Sequence, residues 1–223
     1  MTQDDLLKDA RTYLVQFAQG KSGDNDSIHP WRKSGEFIIY HSLRVACYVE
    51  RILKVEGQRL SSDEVLLLRL AAVLHDLGTL IKLDEHAEIS ARLVEEWVSA
   101  DFSRGEAISD PKRLRYLILA HSNKDRPEPD LAAQILKDAD ILDEIGIMSI
   151  FMSASRLERS SSTFFADLLE RLEGRELNYC DRQMARPGTE TAKVIMQQKK
   201  DFIQGFIEQL EMELCIEERK SVV

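Results

Sequence analysis

The sequence predicts an all-α protein, and three observations support this fold class. Apolar residues recur at helical spacing along most of the chain, and no segment shows the sustained apolar–polar alternation of a β-strand. Residues that favour helix starts and helix ends stand at the edges of the apolar segments. With 223 residues, of which 43% are hydrophobic, the chain is long enough to bury a sizeable core. We therefore expect one helical domain over residues 1–223.

The first three predicted helices cover residues 4–18, 36–55 and 61–78. Leu6, Ala10 and Leu14 form one side of the first helix, and the second has a similar apolar side. Ser61 followed by Glu64 is the pattern of a capping box, which predicts the start of the third helix. This helix is apolar nearly all round, so we expect it at the centre of the domain.

The remaining helices are predicted at 85–98, 110–121, 130–156, 164–172 and 190–218. Asp110 with Pro111 is typical of an N-cap followed by a first-turn proline. The helix over 130–156 is long and contains Gly146, where an interruption is expected. Residues 122–129 are expected to form a loop, and residues around 179–186 a polar connector. An apolar stripe on the last helix predicts packing on its own domain or a homodimer.

Charge and cysteine usage exclude several classes of protein. The net charge of −9 and the pI near 5.2 disfavour a nucleic-acid-binding module, which usually carries a basic patch. No apolar run approaches the roughly 20 residues that span a bilayer, so no membrane partner is expected. The first residues lack the pattern of a signal peptide, and the three cysteines are widely spaced. These features predict a cytoplasmic protein.

The histidines are few and their positions are informative. Four of the five, His41, His75, His86 and His121, stand at or near predicted helix ends, which can converge on one pocket in a bundle. His75 and Asp76 lie at the end of the most apolar helix. An ionised aspartate buried there needs a cation or a set of donors, and imidazole with carboxylate suits a divalent metal ion.

The order of these residues resembles the HD-domain superfamily of metal-dependent phosphohydrolases. The matching segments are HSLRVA at 41–46, LAAVLHDLG at 70–78 and KDADILDEIG at 137–146. Softer matches are LDEHAEISARL at 83–93 and ILAHS at 118–122. The resemblance covers residues 29–150 and implies a helical-bundle HD-type core there, with a C-terminal helical extension at about 157–223.

The resemblance implies that the metal ligands are His41, His75, Asp76 and Asp140. Asp138 is an alternative to Asp140, but residues two apart on a helix point to different sides, so both cannot easily face one ion. Asp140 is preferred because it follows an alanine, as the ligand does in members of the family. Asp143 shares its side of the helix and is a candidate to support a ligand.

Further site residues are implied with less support from the residues themselves. His86 and His121 match positions that bind a second metal ion or the substrate phosphate in parts of the superfamily. Asp84 or Glu85 is the candidate general acid or base. Candidates to bind the substrate phosphate, because of their positive charge, are Arg32, Arg44 and Lys82.

The resemblance thus implies a hydrolase that cleaves a phosphoester or phosphoanhydride bond with metal-activated water. The cofactor is a divalent ion, namely Mn, Co, Ni, Fe, Zn or Mg. The chain lacks the loop motif of the cyclic-dinucleotide branch and the extra domains of bifunctional alarmone enzymes, so a small nucleotide is the expected substrate. Two alternatives stay open: a di-iron oxygenase that uses the same residues, and a non-catalytic helical binding module with a degenerate site.

Overall fold

The computed structural model describes residues 1–23, 33–124, 128–186 and 188–215. Among these residues the only β pairing is an isolated bridge between Ser22 and Ser34, so the all-α prediction is confirmed. The helices are α1 (Gln3–Ala18), α2 (Gly35–Glu56), α3 (Ser62–Leu74), α4 (His86–Ser99), α5 (Phe102–Ala107), α6 (Pro111–His121), α7 (Leu131–Asp143), α8 (Ile147–Ala154), α9 (Phe164–Arg171), α10 (Leu177–Met184) and α11 (Glu190–Glu213).

The chain divides into two compact units, Met1–Asp143 and Glu144–Val223. Unit 1 contains α1 to α7, and unit 2 contains α8 to α11. The four residues expected to bind metal all belong to unit 1. A single domain over 1–223, with a core at about 29–150 and an extension at about 157–223, stays a prediction.

Helix α3 is the centre of unit 1. Its first turn has the expected capping box, in which the Glu64 amide donates to Ser61 Oγ (3.2 Å) and the Ser61 amide to Glu64 Oε2 (3.3 Å). Leu68 and Leu70 are fully buried because α1, α2, α6 and α7 all pack against this helix. A helix that is apolar on every side is stable only when it is surrounded in this way.

The end of α3 differs from the prediction, because the α-helix stops at Leu74 and does not reach Gly78. His75 caps the helix, and a short 3₁₀ turn follows over Leu77–Leu80. A Cβ atom on Gly78 would lie 2.1 Å from the carbonyl oxygen of His86, so only glycine fits there. The Gly78 amide also donates to Ser90 Oγ on α4 (2.8 Å). The glycine therefore brings the end of α3 against the start of α4.

Helices α6 and α7 complete the part of unit 1 that surrounds the site. Asp110 caps α6 as expected, accepting a hydrogen bond from the Arg113 amide (2.9 Å). Helix α7 packs against α2 and is buried along most of its length. The long helix predicted over 130–156 is divided, since α7 ends at Asp143 and Gly146 adopts a φ of +91° before α8. That left-handed conformation is one that glycine adopts without strain.

Unit 2 corrects the expected connector around 179–186. From α9 the chain continues through a π-helical turn, Leu172–Glu176, into α10, so most of this segment is helical. On α11, Ile203 and Ile207 are buried while Phe202 is 48% exposed. The homodimer stays a prediction. Every helix in the described part of the chain is too short or too polar to cross a lipid bilayer.

Candidate metal centre

The ends of three helices and the sides of two others bring histidines and aspartates together in unit 1. His75 lies at the end of α3, His86 at the start of α4 and His121 at the end of α6. His41 lies on α2 and Asp140 on α7, which pack against each other. Helix ends and sides thus meet in one place, as the spacing of the histidines predicts.

These residues form two groups of potential metal ligands. The first cluster consists of His41, His75 and Asp140, and the second cluster consists of Asp76, His86 and His121. Within each cluster, one ligand atom from every residue lies within 4.8 Å of the others. The three residues of the first cluster are buried, whereas Asp76 and His86 of the second are partly accessible.

All four imidazoles are oriented in the same way. Each Nδ1 is within hydrogen-bond distance of an oxygen outside the clusters, and three of these oxygens are backbone carbonyls, which only accept. The pairs are His41 with Asp143 Oδ2 (2.8 Å), His75 with the Ala72 carbonyl (3.0 Å), His86 with the Leu83 carbonyl (2.8 Å), and His121 with the Ile118 carbonyl. Nδ1 therefore donates, and Nε2 of a neutral ring keeps its lone pair for the cluster.

The distances between ligand atoms fit a bound divalent cation. The Nε2 atoms of His41 and His75 are 3.2 Å apart, and those of His86 and His121 are also 3.2 Å apart. Two ligands of one ion, each at about 2.0–2.1 Å, lie about 3.0–3.4 Å from one another. His41 Nε2 is 3.4 Å from Asp140 Oδ1. The donor set of imidazole nitrogen and carboxylate oxygen suits Mn, Fe, Co, Ni or Zn.

Asp76 lies between the two clusters. It belongs to the second, and its Oδ2 atom is 3.7 Å from His41 Nε2 of the first. The Thr79 hydroxyl donates to its other oxygen. Burial opposes ionisation of Asp76, but the positive charge of nearby histidines lowers its pKa below the usual range. An ionised carboxylate in this position can be a ligand of a metal ion in either cluster.

The structure places Asp140, and not Asp138, beside the histidines. Asp140 Oδ1 faces His41, and Lys124 Nζ lies 2.9 Å from Asp140 Oδ2. Asp138 instead accepts a hydrogen bond from Gln134 Nε2 (2.7 Å) within the same helix. Burial opposes ionisation of Asp140, but Lys124 and His41 hold its pKa well below the usual range.

Asp143 and Arg44 form a charged support behind His41. Arg44 donates to both oxygens of Asp143, from Nε (2.6 Å) and Nη2 (2.9 Å), and Asp143 in turn accepts from His41 Nδ1. Burial opposes ionisation of Asp143, while His41 and Arg44 lower its pKa. Arg44, predicted to bind a substrate phosphate, is therefore committed in this structure to orienting Asp143.

The surroundings of the histidines shift their pKa values in opposite directions. Burial tends to lower the pKa of His41, but the carboxylates of Asp140 and Asp143 raise it to about 10. Burial lowers the pKa of His75. Burial, together with repulsion from the other histidines, lowers the pKa of His121 to about 3. His121 is therefore held neutral, whereas His41 binds a proton strongly when no metal ion replaces it.

Three further predicted site residues, Lys82, Asp84 and Glu85, lie in or near the turn that precedes α4. Asp84 and Glu85 are exposed in a 3₁₀ turn next to His86, and Glu85 pairs with Lys82. Within the described residues, these three side chains form no hydrogen bond or ion pair with a residue of either cluster. Their catalytic and substrate-binding roles stay predictions. Arg32 lies outside the described residues.

Sequence reasoning missed Lys124 and Thr79 as partners of the two aspartates. Lys124 stands three residues after His121, in a segment expected to be a loop, and its pairing with Asp140 spans 16 residues of sequence. Thr79 follows Asp76 by three residues, which was the one local signal available.

Comparisons with known proteins agree with this arrangement. Residues 38–145 match the family model described as HD domain, and this segment contains all six cluster residues. Among curated proteins, none matches the chain.

Three solved structures illustrate the structural similarity. The Lin1889 protein from Listeria innocua is 22% identical, with a TM-score of 0.61, over 97% of this chain and 99% of that one. An HD-superfamily hydrolase from Bacillus thuringiensis is 16% identical, with a TM-score of 0.61, over 96% and 98%. YpgQ from Bacillus subtilis in complex with ADP is 17% identical, with a TM-score of 0.54, over 93% and 97%. At these identities the similarity is one of fold.

Proposed function

We propose that this chain, in which residues 38–145 match the HD domain family model, is a metal-dependent phosphohydrolase. The proposed reaction is hydrolysis of a phosphoester or phosphoanhydride bond in a small nucleotide. The observation that carries this proposal is the common orientation of His41, His75, His86 and His121, whose Nε2 atoms converge with Asp76 and Asp140. Burying several ionised carboxylates close together is costly, and a divalent ion bound among them would offset that cost.

The residues of this chain would divide the work as follows. His41, His75 and Asp140 hold one ion, and Asp76 lies where it can also bind that ion. A divalent ion bound there would supply an electrophile for the phosphoryl group and would lower the pKa of a bound water. Asp143 keeps His41 in the orientation that presents Nε2.

The remaining roles are assigned by position. His86 and His121 bind a second ion or a phosphate oxygen, since Asp76 completes their cluster. Asp84 or Glu85, in the exposed turn before α4, supplies the proton transfer at the leaving group.

An adenine nucleotide is the first substrate to test. YpgQ, which shares the fold, is known in complex with ADP, and the positive charge of a bound ion favours a polyanionic ligand. The net charge of −9 disfavours nucleic acid as the substrate.

The decisive experiment removes metal from the purified protein and restores Mn, Co, Ni, Fe, Zn or Mg one at a time. Release of inorganic phosphate or pyrophosphate is then measured with a panel of nucleoside mono-, di- and triphosphates. We expect at least one ion to restore hydrolysis of at least one nucleotide. Absence of hydrolysis with every ion, despite stoichiometric metal binding, contradicts the proposal. Oxygen consumption by the iron-loaded protein supports the oxygenase, and absence of metal binding supports the non-catalytic module.

A further inference from the structure

Lys124 is a partly exposed partner of Asp140, a buried residue of the first cluster. Its ammonium is 2.9 Å from Asp140 Oδ2, while the other oxygen of Asp140 faces His41 and His75. The Lys124 side chain is 25% exposed, whereas that of Asp140 is only 6% exposed. The lysine therefore lies between the buried ligands and the surrounding water.

The two oxygens of Asp140 have different neighbours, which separates their roles. Oδ1 is 3.4 Å from His41 Nε2 and 3.9 Å from His75 Nε2, so it faces the imidazole ligands. Oδ2 faces the Lys124 ammonium. An ion held by the first cluster can use Oδ1 while Lys124 remains beside the same carboxylate.

The charge around this site becomes more positive when a divalent ion binds. The buried carboxylates of Asp140 and Asp143 already face one permanent cation each, Lys124 and Arg44. A divalent ion adds two further positive charges beside them. Ion binding thus weakens the attraction between Asp140 and Lys124. It also attracts an anion to the rim of the cluster, by which we mean the partly exposed position of Lys124 beside Asp140.

Two of the cations expected to bind phosphate, Arg44 and Lys82, are engaged elsewhere. Arg44 donates two hydrogen bonds to Asp143 from the side of the cluster behind His41. Lys82 pairs with Glu85, and both side chains are more than half exposed. Lysine suits a phosphate contact at a shifting position because its ammonium is a point charge on a flexible stem. Of these cations, Lys124 is the one within hydrogen-bond distance of a cluster residue.

We propose that Lys124 binds the phosphoryl group of the substrate at the rim of the first cluster once a divalent ion is bound. The proposal rests on the proposed function for the identity of the substrate. It assigns to Lys124 the role that the sequence alone suggested for Arg32, Arg44 and Lys82.

The test compares Lys124→Met, Lys124→Arg and the wild type, each loaded with Mn²⁺. Binding of inorganic phosphate is measured by calorimetry, and Mn²⁺ affinity is measured separately on the metal-free proteins. A charge-assisted hydrogen bond of about 1.5–3 kcal/mol predicts that Lys124→Met weakens phosphate binding by at least about tenfold. Lys124→Arg keeps most of the affinity, because it keeps the charge. Lys112→Met, an exposed lysine at the opposite end of α6, is the matched control and leaves phosphate affinity unchanged.

The same variants separate this inference from the proposed function. With a hydrolysed nucleotide, Lys124→Met raises KM by about the factor lost in phosphate affinity, and kcat changes less. Equal phosphate affinity in Lys124→Met and the wild type overturns the inference even if the wild type is an active hydrolase. A tenfold loss of Mn²⁺ affinity in Lys124→Met also overturns it, because Lys124 then serves only to position Asp140. If the wild type hydrolyses nothing, Lys124-dependent phosphate binding still supports the inference.

Discussion

The first and second clusters contain the same kinds of ligand but differ in what surrounds them. Charged side chains surround the first cluster: Asp143, held by Arg44, contacts His41, and Lys124 contacts Asp140. The histidines of the second cluster are held by the backbone carbonyls of Leu83 and Ile118. Two residues of the first cluster, His41 and Asp140, thus have charged partners, whereas both histidines of the second cluster have backbone partners.

This difference sets the proton affinity of the histidines. Carboxylates around His41 raise its pKa to about 10, whereas burial and repulsion from the neighbouring histidines lower the pKa of His121 to about 3. A metal ion entering the first cluster therefore competes with a proton on His41, and one entering the second meets a neutral His121. The two histidines thus differ in whether a metal ion must displace a proton. The following substitutions test this difference.

The largest effect is expected from Asp76→Ala, because Asp76 lies within reach of both clusters. We expect loss of bound metal and loss of phosphate release together, measured by elemental analysis and by the nucleotide assay. Asp63→Ala, which removes an exposed acid at the start of α3, is the control and keeps both. Full activity in Asp76→Ala would contradict the proposed metal-dependent hydrolysis.

Next in size is the contrast between His75→Ala and His121→Ala, which each remove one imidazole from one cluster. His75→Ala loses the ion of the first cluster, whereas His121→Ala keeps it because His41, His75 and Asp140 are intact. The measurement is the number of Mn²⁺ ions per chain at rising Mn²⁺ concentration. Equal loss of all metal in both variants would mean that the clusters bind as one unit.

A smaller effect is expected from Asp143→Asn, which weakens the support of His41. Removing a carboxylate that hydrogen-bonds to a metal-binding histidine weakens metal binding roughly 10–100-fold. Arg44→Lys acts in the same direction but less, because lysine cannot replace both bonds to Asp143. The control is Arg69→Lys, an arginine that also makes two bonds to one carboxylate, that of Glu50. Unchanged Mn²⁺ affinity in Asp143→Asn contradicts the support role.

The smallest effect concerns the stability of the metal-free protein as pH changes. The pKa of His41 is raised from 6.5 to about 10, so its contribution is present below pH 6.5 and is lost as pH rises toward 10. The pKa of His121 is lowered from 6.5 to about 3, so its contribution is present above pH 6.5 and is lost as pH falls toward 3. The two histidines therefore act on opposite sides of neutrality.

Thermal unfolding of His41→Gln and His121→Gln, compared with the wild type without metal, measures these contributions. We expect His41→Gln to flatten the decline in Tm between pH 7 and pH 10. His121→Gln flattens the decline on the acid side instead. Each change is about a few degrees for a chain of this size. If Tm depends on pH in the same way in all three proteins, the pKa values of His41 and His121 are not shifted in opposite directions.

Local sequence signals located the helix starts better than the helix ends. The capping box of Ser61 with Glu64 and the pair Asp110–Pro111 begin α3 and α6 as predicted, because a cap acts within four residues. The end of α3 was placed four residues too late, at Gly78. That glycine is required by the approach of the His86 backbone, which is a contact with another helix.

The cluster residues, and Asp143 as a support for a ligand, could be predicted from order and context, but the other partners could not. His41, His75, Asp76 and Asp140 all lie in the two clusters, although their binding of metal stays a prediction. In contrast, the bonds of Arg44 to Asp143 join residues 99 apart in the chain. No local pattern records which charged side chain meets which when the helices pack.

The sequence by itself determined the all-α class and the choice of histidines and aspartates around which a site forms. Helical periodicity and capping are short-range effects, so they can be read from neighbouring residues. Only the tertiary structure decided that these residues make two clusters with Asp76 between them. It also decided that Arg44 supports His41 through Asp143 while Lys124 stands at Asp140. Such pairings depend on how the helices pack, because the energy of a charged pair is set by distance and burial.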